Sequence, residues 1–369
     1  MKASIVTYHN SYSYGACLQA AATFELFRLR GFDTTFVDYH NPTEDDSLGK
    51  RAWSFLASGD LRRFVSVGLR NLIGYRRYAL QGFSHFHEML PKTPLRARSV
   101  DELQSLCTDI LVIGSDQMWN PIISGSLDPV FFLQFGKAIK RISLATSMGN
   151  HSFTPEEQEN VRDYLKSFAA VSVREGHAQQ QVFEATGLNP FICLDPTLMV
   201  EPDYWRAFSS RPKAVGSDER YILVFTVNNR PQQASGLWRA ASKKLGLPVY
   251  RIAGNTLPVS YIDKTLRGVT PQEFVWLIDN ASYVYTDSFH GTAFSLALET
   301  PFTVFPNKTG NNVRMIELLD ACSLPDRFVQ LDSGEASCKP SVDFASSTDF
   351  LVKRRAECLA WLDSACADW

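Results

Sequence analysis

The sequence lacks the features that mark membrane-spanning and nucleic-acid-binding proteins. No apolar run approaches the roughly 20 residues that a transmembrane helix needs. The 37 Lys and Arg against 39 Asp and Glu give a net charge of −2, so the whole molecule carries no positive excess for a nucleic acid. The N-terminal residues 1–8 form a predicted short strand followed by polar residues, which is not a signal-peptide pattern. We therefore expect a cytoplasmic protein with no nucleic-acid partner.

Several chemical signatures are also missing. There is no Cys-x-x-Cys pair and no clustering of Cys with His, so we predict neither a metal site nor a disulfide framework. The seven cysteines are scattered, several within apolar runs, which is typical of buried thiols in a reducing cytoplasm. The chain has no G-x-G-x-x-G fingerprint, no P-loop and no G-x-S-x-G elbow, so a nucleophilic Ser288 is not expected.

Apolar strand-like runs alternate with helix-like segments along almost the whole chain. Such alternation predicts an α/β fold with parallel sheets and helices on both faces. The strand candidates are residues 4–8, 34–39, 110–114, 142–145, 169–174, 191–194, 221–226, 249–252, 283–286 and 302–305. The helix candidates include residues 15–30, 155–168, 177–186, 232–245, 271–281 and 292–299.

A length of 369 residues is enough for two domains of ordinary size. We predict an N-terminal domain over residues 1–200 with a basic helical insertion at about 48–90. A second domain is predicted over 217–345, and residues 346–369 form a C-terminal helix that is expected to pack back on the first domain.

Residues 50–80 break the alternation. They contain seven Lys or Arg against Asp60 alone, a net charge of +6, with aromatic side chains interleaved. Such a stretch can lie on an anionic membrane surface or bind an anionic acceptor. It can equally be an inserted helical hairpin with its Arg side chains in water, and the sequence leaves both interpretations open.

Two polar turns in the first half of the chain are candidates for sugar binding. After the first strand, the small-residue turn that includes Tyr14 and Gly15 can present backbone N–H groups to an anion or a sugar. The alternative is a plain strand-to-helix turn. After the third strand, polar residues surround Trp119, as in a ring platform flanked by hydroxyl partners. These candidates are Ser115, Asp116, Gln117, Trp119 and Asn120, with a structural Asp116 that caps the turn as the alternative.

Two further strand ends carry charged or titratable candidates. Arg174 ends a buried strand and needs an anionic partner, either a ligand carboxylate or phosphate or the neighbouring Glu175. The turn over residues 286–292 offers His290, two hydroxyls and the N–H groups of a helix start, which suit an anionic substrate. Its candidate ligands are Ser288, Phe289, His290, Gly291 and Thr292.

Five motifs, in this order along the chain, resemble the polysaccharide pyruvyl transferase family. The resemblance covers the chain from about residue 4 to about 330. The motifs are YGACLQ from Tyr14, GSDQMWN from Gly114, SVRE from Ser172, LDPT from Leu194 and TDSFHGTAFS from Thr286. The resemblance implies two Rossmann-like domains that face a cleft, similar to the GT-B glycosyltransferases. It also implies transfer of a pyruvyl group from phosphoenolpyruvate to a sugar, giving a cyclic ketal, with no further cofactor and no metal.

By the same resemblance, Arg174 and His290 match the family's Arg and His that hold and activate phosphoenolpyruvate. Better-studied members carry Arg-Leu-His where this chain has Ser288-Phe289-His290. Either Ser288 and backbone N–H groups hold the anion here, or the donor differs. The implied acceptor is a sugar or a lipid-linked oligosaccharide of a cell-surface polysaccharide, such as an exopolysaccharide or capsule, at the inner membrane face.

Two other functions fit the same residues. A glycosyltransferase of the same fold that uses a nucleotide sugar would explain the cleft and the polar turns equally well. A relative that binds sugars without catalysis is the third possibility, and the Ser at position 288 is its support.

Overall fold

The computed structural model describes residues 1–41, 76–227, 231–254, 258–307, 312–331 and 338–367. Most of the basic segment 50–80 therefore lies outside the described residues, and both interpretations of it remain predictions. Among the described residues, no helix is both long enough and apolar enough to span a bilayer.

The chain forms eleven strands and twelve α-helices over these residues, together with short 3-10 turns. The strands are β1 (Lys2–Val6), β2 (Asp33–Phe36), β3 (Cys107–Ile113), β4 (Lys137–Thr146), β5 (Ala170–Val173), β6 (Phe191–Ile192), β7 (Ile222–Phe225), β8 (Val249–Ile252), β9 (Lys264–Leu266), β10 (Tyr283–Thr286) and β11 (Phe302–Val304). The helices are α1 (Tyr14–Arg28), α2 (Arg76–Met89), α3 (Pro121–Ser124), α4 (Pro155–Leu165), α5 (Gly176–Thr186), α6 (Pro196–Met199), α7 (Pro202–Phe208), α8 (Ser235–Leu245), α9 (Pro271–Asp279), α10 (Phe289–Ala297), α11 (Val313–Ala321) and α12 (Ala345–Cys366).

The chain divides into two compact units. The first takes the described residues of Met1–Val65 together with His87–Val200 and Arg355–Trp369. The second takes those of Ser66–Phe86 together with Glu201–Arg354. The long C-terminal helix α12 thus contributes to both units, and its last part stacks Trp361 on Phe191 of β6 with ring centroids 5.7 Å apart.

The first unit is built on a six-stranded parallel sheet with the order β2-β1-β3-β4-β5-β6. In the centre, Ile5 lies opposite Phe36 on one side and Val112 on the other. The chain passes from β1 to β2 on one side and then crosses to β3 on the other. The topological switch point, where ligands bind in open α/β sheets, therefore lies at the carboxyl ends of β1 and β3.

The second unit is built on a five-stranded parallel sheet with the order β11-β10-β7-β8-β9. Tyr285 of β10 lies opposite Val224 of β7 and Thr303 of β11. Since β8 and β9 extend the sheet on one side of β7 and β10 and β11 on the other, the switch point lies at the ends of β7 and β10. The turn over residues 286–292 directly follows β10.

Both sheets are covered on their two faces, which explains the sequence of their strands. All four residues of β7 are buried, as are all four of β10. Strands buried on both faces are near-continuous apolar runs rather than alternating ones. Side chains from the helices complete each core, including Leu18 and Phe27 of α1 in the first unit and Trp238 of α8 in the second.

Local signals in the sequence fix several helix ends. Thr270 accepts a hydrogen bond from the Glu273 N–H, and the Glu273 carboxylate accepts one from the Thr270 N–H, so the two residues form a capping box at the start of α9. Gly187 ends α5 in the left-handed conformation at φ 77°, which suits a residue without a Cβ.

Candidate functional site

The turn after β10 leads directly into α10, and Ser288 caps that helix. Its Oγ accepts a hydrogen bond from the Gly291 N–H at 3.4 Å, while its own N–H donates to Thr286 Oγ1 at 3.1 Å. Its carbonyl oxygen accepts from the Thr292 hydroxyl at 3.0 Å. The hydroxyls of the turn therefore shape the start of the helix, where backbone N–H groups carry partial positive charge.

Gly291 is required by a close approach within this turn. A Cβ at Gly291 would lie 2.3 Å from Thr286 Oγ1 and 3.0 Å from Thr286 Cβ. Any larger residue must push the last residue of β10 away from the first turn of α10. The glycine thus fixes how tightly the helix start packs on the strand end.

Asp287, which follows β10, contacts the loops after both neighbouring strands, β7 and β11. Its Oδ1 accepts a hydrogen bond from the Val227 N–H, just after β7, at 2.7 Å. Its carbonyl oxygen accepts from the Asn307 side-chain amide, after β11, at 3.4 Å. Asp287 is 1% exposed, so its carboxylate serves the backbone of the loop after β7.

His290 lies in the first turn of α10 and is 9% exposed. Its ring meets the Phe289 ring edge to face, with centroids 5.2 Å apart and an interplanar angle of 88°. The guanidinium carbon of Arg314, at the start of α11, lies 5.6 Å from the centroid of the same Phe289 ring. The structure thus places an imidazole, an aromatic ring and a guanidinium together at the switch point of the second sheet.

In the first unit, the end of β3 packs directly on the end of β1. The Thr7 hydroxyl donates to the Ser115 carbonyl oxygen at 3.3 Å and accepts from the Gln19 amide at 2.6 Å. Ser115 is fully buried, and its Oγ donates to Asp195 Oδ2 at 3.3 Å. The predicted site residue Ser115 therefore lies at the switch point, where its hydroxyl is used inside the protein.

The loop after Ser115 satisfies its own polar groups. Asp116 is left-handed at φ 78°, and its Oδ1 accepts from the Gln117 N–H at 2.9 Å. Asn120 caps α3 by accepting from the Ile122 N–H at 3.1 Å, and its side-chain amide donates to Gln117 Oε1 at 2.8 Å. The structure shows the alternative in which Asp116 caps the turn, and the binding roles of Asp116, Gln117 and Asn120 stay predictions.

The prediction that Trp119 forms a sugar platform is wrong. Trp119 is fully buried, stacks on Phe132 with centroids 5.2 Å apart, and donates its indole N–H to the Phe131 carbonyl oxygen at 2.9 Å. Both its ring face and its one donor are occupied by the core. A Trp beside polar residues matches a core anchor as well as a sugar site, and the sequence pattern cannot separate the two.

Arg174 has its anionic partner within the protein. Its Nη1 donates to Asp195 Oδ2 at 2.5 Å, and its Nε lies 3.7 Å from Glu175 Oε2. The neighbouring Glu175 is thus one anionic partner and Asp195 a second, and contact with a ligand stays a prediction. The Arg174 side chain is 3% exposed and that of Asp195 0%. The pKa of Arg174 is raised: burial lowers it, but the charges of Asp195, Glu175 and Asp116 outweigh burial.

Asp195 was missed as a partner of Arg174, although its motif was recognised. Its Oδ1 accepts from the Thr197 N–H at 3.0 Å and from the Thr197 hydroxyl at 2.7 Å, so the residue also caps α6. The sequence carries a signal for the cap, because Asp followed by Pro is a typical N-cap and first helical position. It carries no comparable signal for the contact with Arg174.

Tyr14 and Gly15 open α1, as the predicted strand-to-helix turn requires. Gly15 is buried and Tyr14 half-buried, and their role in binding stays a prediction.

A polar network at the ends of β1 and β2 was not predicted. His9 Nδ1 donates to the Thr7 carbonyl oxygen at 2.9 Å, and the Asn10 amide lies 2.9 Å from His9 Nε2 and 3.0 Å from Asp38 Oδ1. His40 Nε2 lies 3.1 Å from the same oxygen, and burial together with the charge of Arg96 lowers the pKa of His40. The sequence signal that could have revealed this network is the polar stretch that follows each of the two strands β1 and β2.

All seven cysteines are free thiols, six of them buried and Cys107 exposed. Within the described ranges, no group of three His, Cys, Asp or Glu side chains is arranged to hold a metal ion.

The fold and these turns define an α/β protein with two doubly wound parallel sheets, each with polar turns at its switch point. The chain belongs to the polysaccharide pyruvyl transferase family, because the family's sequence model matches residues 14–309. This match confirms the resemblance found in the sequence. The family is one of transferases that act in polysaccharide modification. No curated protein matches the sequence.

Solved structures of similar architecture include an epimerase and a glycosyltransferase. A UDP-GlcNAc 2-epimerase from Neisseria meningitidis bound to UDP-GlcNAc is 11% identical, with 98% of this chain and 100% of that chain covered and a TM-score of 0.50. The glycosyltransferase SnogD from Streptomyces nogalater is 12% identical over 97% of this chain and 93% of its own, with a TM-score of 0.45. At such identities the likeness concerns the fold alone, and the predicted α/β fold with two Rossmann-like sheets is confirmed.

Proposed function

We propose that the chain transfers a pyruvyl group from phosphoenolpyruvate to a sugar of a cell-surface polysaccharide precursor and forms a cyclic pyruvate ketal. The observation that carries this proposal is the family match over residues 14–309, which includes the His290 turn at the switch point of the second sheet. Switch points are where open α/β sheets bind their ligands.

The donor is assigned to the turn after β10. Phosphoenolpyruvate has a carboxylate and a phosphate, and the helix start at Phe289 directs backbone N–H groups toward such anions. In this assignment Ser288 fixes the helix start through its cap, and Gly291 and Thr292 hold the backbone close to the strand end. The hydroxyl and backbone arrangement at Ser288 thus supports the version in which the anion is held without an Arg at that position.

The reaction requires proton transfers that a side chain must carry. Protonation of the methylene carbon makes C2 of the donor electrophilic, and a sugar hydroxyl attacks C2 to form the first C–O bond. The C2–O bond to phosphate breaks, inorganic phosphate leaves, and a second hydroxyl closes the ketal. We assign His290 a proton transfer, either to the departing phosphate or from the attacking hydroxyl. A positioned acid or base of this kind contributes about 10²- to 10⁴-fold to the rate.

The acceptor is assigned to the first unit, at the switch point of its sheet. The proposed contacts for a sugar or a lipid-linked oligosaccharide are Tyr14 and Gly15 at the start of α1 and the polar residues Asp116, Gln117 and Asn120 after β3. A lipid-linked acceptor would be met at the inner face of the membrane. In that case the basic segment 50–80 would bind anionic vesicles, and that binding should drop when Arg62, Arg63, Arg70, Arg76 and Arg77 are neutralised.

Calorimetric titration of phosphoenolpyruvate into the purified protein tests the donor. We expect binding by the unmodified protein and a loss of at least tenfold in affinity for His290→Gln, which keeps a polar side chain of similar size. His85→Gln is the matched control, because His85 is an exposed histidine of the same unit. Phosphate release in the presence of methyl glycosides of hexoses tests the transfer itself.

The competing function gives an opposite result in the same assays. A glycosyltransferase would release a nucleoside diphosphate from a nucleotide sugar and would show no heat with phosphoenolpyruvate. A sugar-binding relative without catalysis would bind the glycosides and release no phosphate from any donor.

A further inference from the structure

The donor turn contains no permanently charged cation of its own. Residues 286–292 include one carboxylate, Asp287, and one titratable base, His290, and no Lys or Arg. Phosphoenolpyruvate carries a phosphate and a carboxylate, while a helix start offers only partial charge. A site for this donor, which rests on the function proposed above, therefore needs a cation from another element.

Arg314 is the guanidinium that the structure places against this turn. Its guanidinium carbon lies 5.6 Å from the centroid of the Phe289 ring, and that ring in turn meets the His290 imidazole with centroids 5.2 Å apart. Arg314 and Phe289 are both half-buried, whereas His290 is buried. One aromatic ring thus contacts both the imidazole and the guanidinium.

The start of α11 is tied to the turn by hydrogen bonds. Asn307 donates its side-chain amide to the Asp287 carbonyl oxygen at 3.4 Å. Asn312 accepts from the Asn307 N–H at 2.7 Å and donates its own side-chain amide to the Asn307 carbonyl oxygen at 3.3 Å. Arg314 follows two residues later, and Met315, which is 1% exposed, anchors the helix in the core. The position of Arg314 relative to the turn is therefore fixed by the fold.

The chemistry of a guanidinium suits an anion. It is permanently charged and carries five N–H donors in one plane. That planar fork matches the oxygens of a phosphate or carboxylate in a bidentate manner. Partial burial strengthens such a contact, because less water screens the charges.

We propose that Arg314 is a donor-binding residue, which directs its guanidinium N–H groups at the phosphate or carboxylate of phosphoenolpyruvate beside His290. Phe289 is a positioning residue in this arrangement. In this proposal its ring acts through the Arg314 guanidinium that it contacts.

The test is calorimetric titration of phosphoenolpyruvate into the full chain and its variants. Arg314→Gln should weaken donor binding by about 10- to 100-fold, the effect of losing hydrogen bonds to a charged group. Arg239→Gln is the matched control, because the Arg239 guanidinium likewise lies over a ring, that of Tyr261, at 4.6 Å in the same unit. The control should leave the affinity unchanged.

A second pair of variants separates charge from packing. Phe289→Leu should weaken binding less than Arg314→Gln, and the double variant should be no weaker than Arg314→Gln alone, because the ring acts through the guanidinium. Thermal unfolding of each variant establishes that the fold is retained. Equal affinities for the unmodified protein and Arg314→Gln would overturn the inference while leaving the proposed function intact. No binding by the unmodified protein would instead overturn the proposed function.

Discussion

Arg174 Nη1 lies 2.5 Å from Asp195 Oδ2, and both side chains are almost fully buried, at 3% and 0% exposed. The pair joins the end of β5 to the cap of α6, and Ser115 donates to the same carboxylate oxygen at 3.3 Å. Three of the motifs that define the family therefore meet at one carboxylate. In this structure these motifs first of all form an internal ionic contact.

Removal of Arg174 should strongly destabilise the first unit. Arg174→Ala leaves Asp195 charged and buried without its cation, which costs about 3–5 kcal/mol of unfolding free energy. Arg28→Ala is the control, because Arg28 forms a two-bond contact with Glu25 at 2.7 Å while its side chain is 56% exposed. Although the Glu25 side chain is 11% exposed, water reaches the Arg28 side of this pair, so its loss should cost only about 1 kcal/mol. Urea unfolding at pH 7 measures both values.

A second variant, Arg174→Lys, bears on the role that the family resemblance gives to Arg174. If Arg174 acted on the donor alone, Arg174→Lys would lose phosphoenolpyruvate binding while unfolding like the unmodified protein. The buried contact with Asp195 predicts instead that any loss of phosphoenolpyruvate binding is accompanied by a loss of stability. A fully stable Arg174→Ala variant would contradict the structural role.

Gly291 should tolerate no side chain. Gly291→Ala places a Cβ 2.3 Å from Thr286 Oγ1, and relief of that overlap costs about 1–3 kcal/mol of unfolding free energy, as overpacking does elsewhere. Gly236→Ala in α8 is the matched control, since its Cβ meets nothing within 4 Å and a helical alanine stabilises by about 0.5–1 kcal/mol over glycine. Chemical denaturation of the two variants should give changes of opposite sign. The same sign in both would contradict the packing.

His87 should make the first unit sensitive to acid. Burial lowers the pKa of His87 from 6.5 to about 4, even though its Nε2 contacts the Ser11 carbonyl oxygen at 3.0 Å. In the unfolded chain His87 is therefore protonated near pH 6.5, whereas in the folded chain it is protonated only near pH 4. The resulting stability is present above pH 6.5 and is lost as the pH falls toward 4.

His87→Gln keeps an amide donor for Ser11 and removes the titration. Because His87 is partly exposed, we expect the unmodified protein to lose only about 1 kcal/mol more than this variant between pH 7 and pH 4. Unfolding free energies at four pH values across this range measure the difference. Parallel pH profiles for the two proteins would show that His87 does not titrate in this way.

The architecture was predictable because buried parallel strands and capped helices have local signatures. The apolar runs of β7 and β10 and the Thr270 capping box each depend on a few adjacent residues. Partners distant in the chain were not predictable in the same way. Asp195 meets Arg174 and Ser115 only after four strands have aligned, and the His9–Asp38 network requires two strands to lie side by side.

The sequence predicted which turns belong to the candidate site. It did not predict what the individual side chains of those turns do. The sequence indicated the polar turns after β1, β3, β5 and β10, because the chain changes there from apolar to polar composition, and it missed the polar residues after β2. Whether a polar side chain faces solvent or closes a loop depends on the conformation of that loop. Asn120 caps a helix of four residues, and Asp116 adopts a left-handed backbone, neither of which has a firm local signature.

Trp119 should contribute to stability and not to sugar recognition. Trp119→Ala removes a fully buried ring stacked on Phe132 and should cost about 3–5 kcal/mol of unfolding free energy, the range for truncation of large core aromatics. Ile122→Ala in the neighbouring helix α3 is the control, because Ile122 is 79% exposed and should change stability by less than about 0.5 kcal/mol. Trp119→Phe keeps an aromatic ring in the core but loses the donor to the Phe131 carbonyl oxygen. Its turnover per folded molecule should equal that of the unmodified protein, whereas a ring that stacked on the acceptor would make the acceptor KM rise.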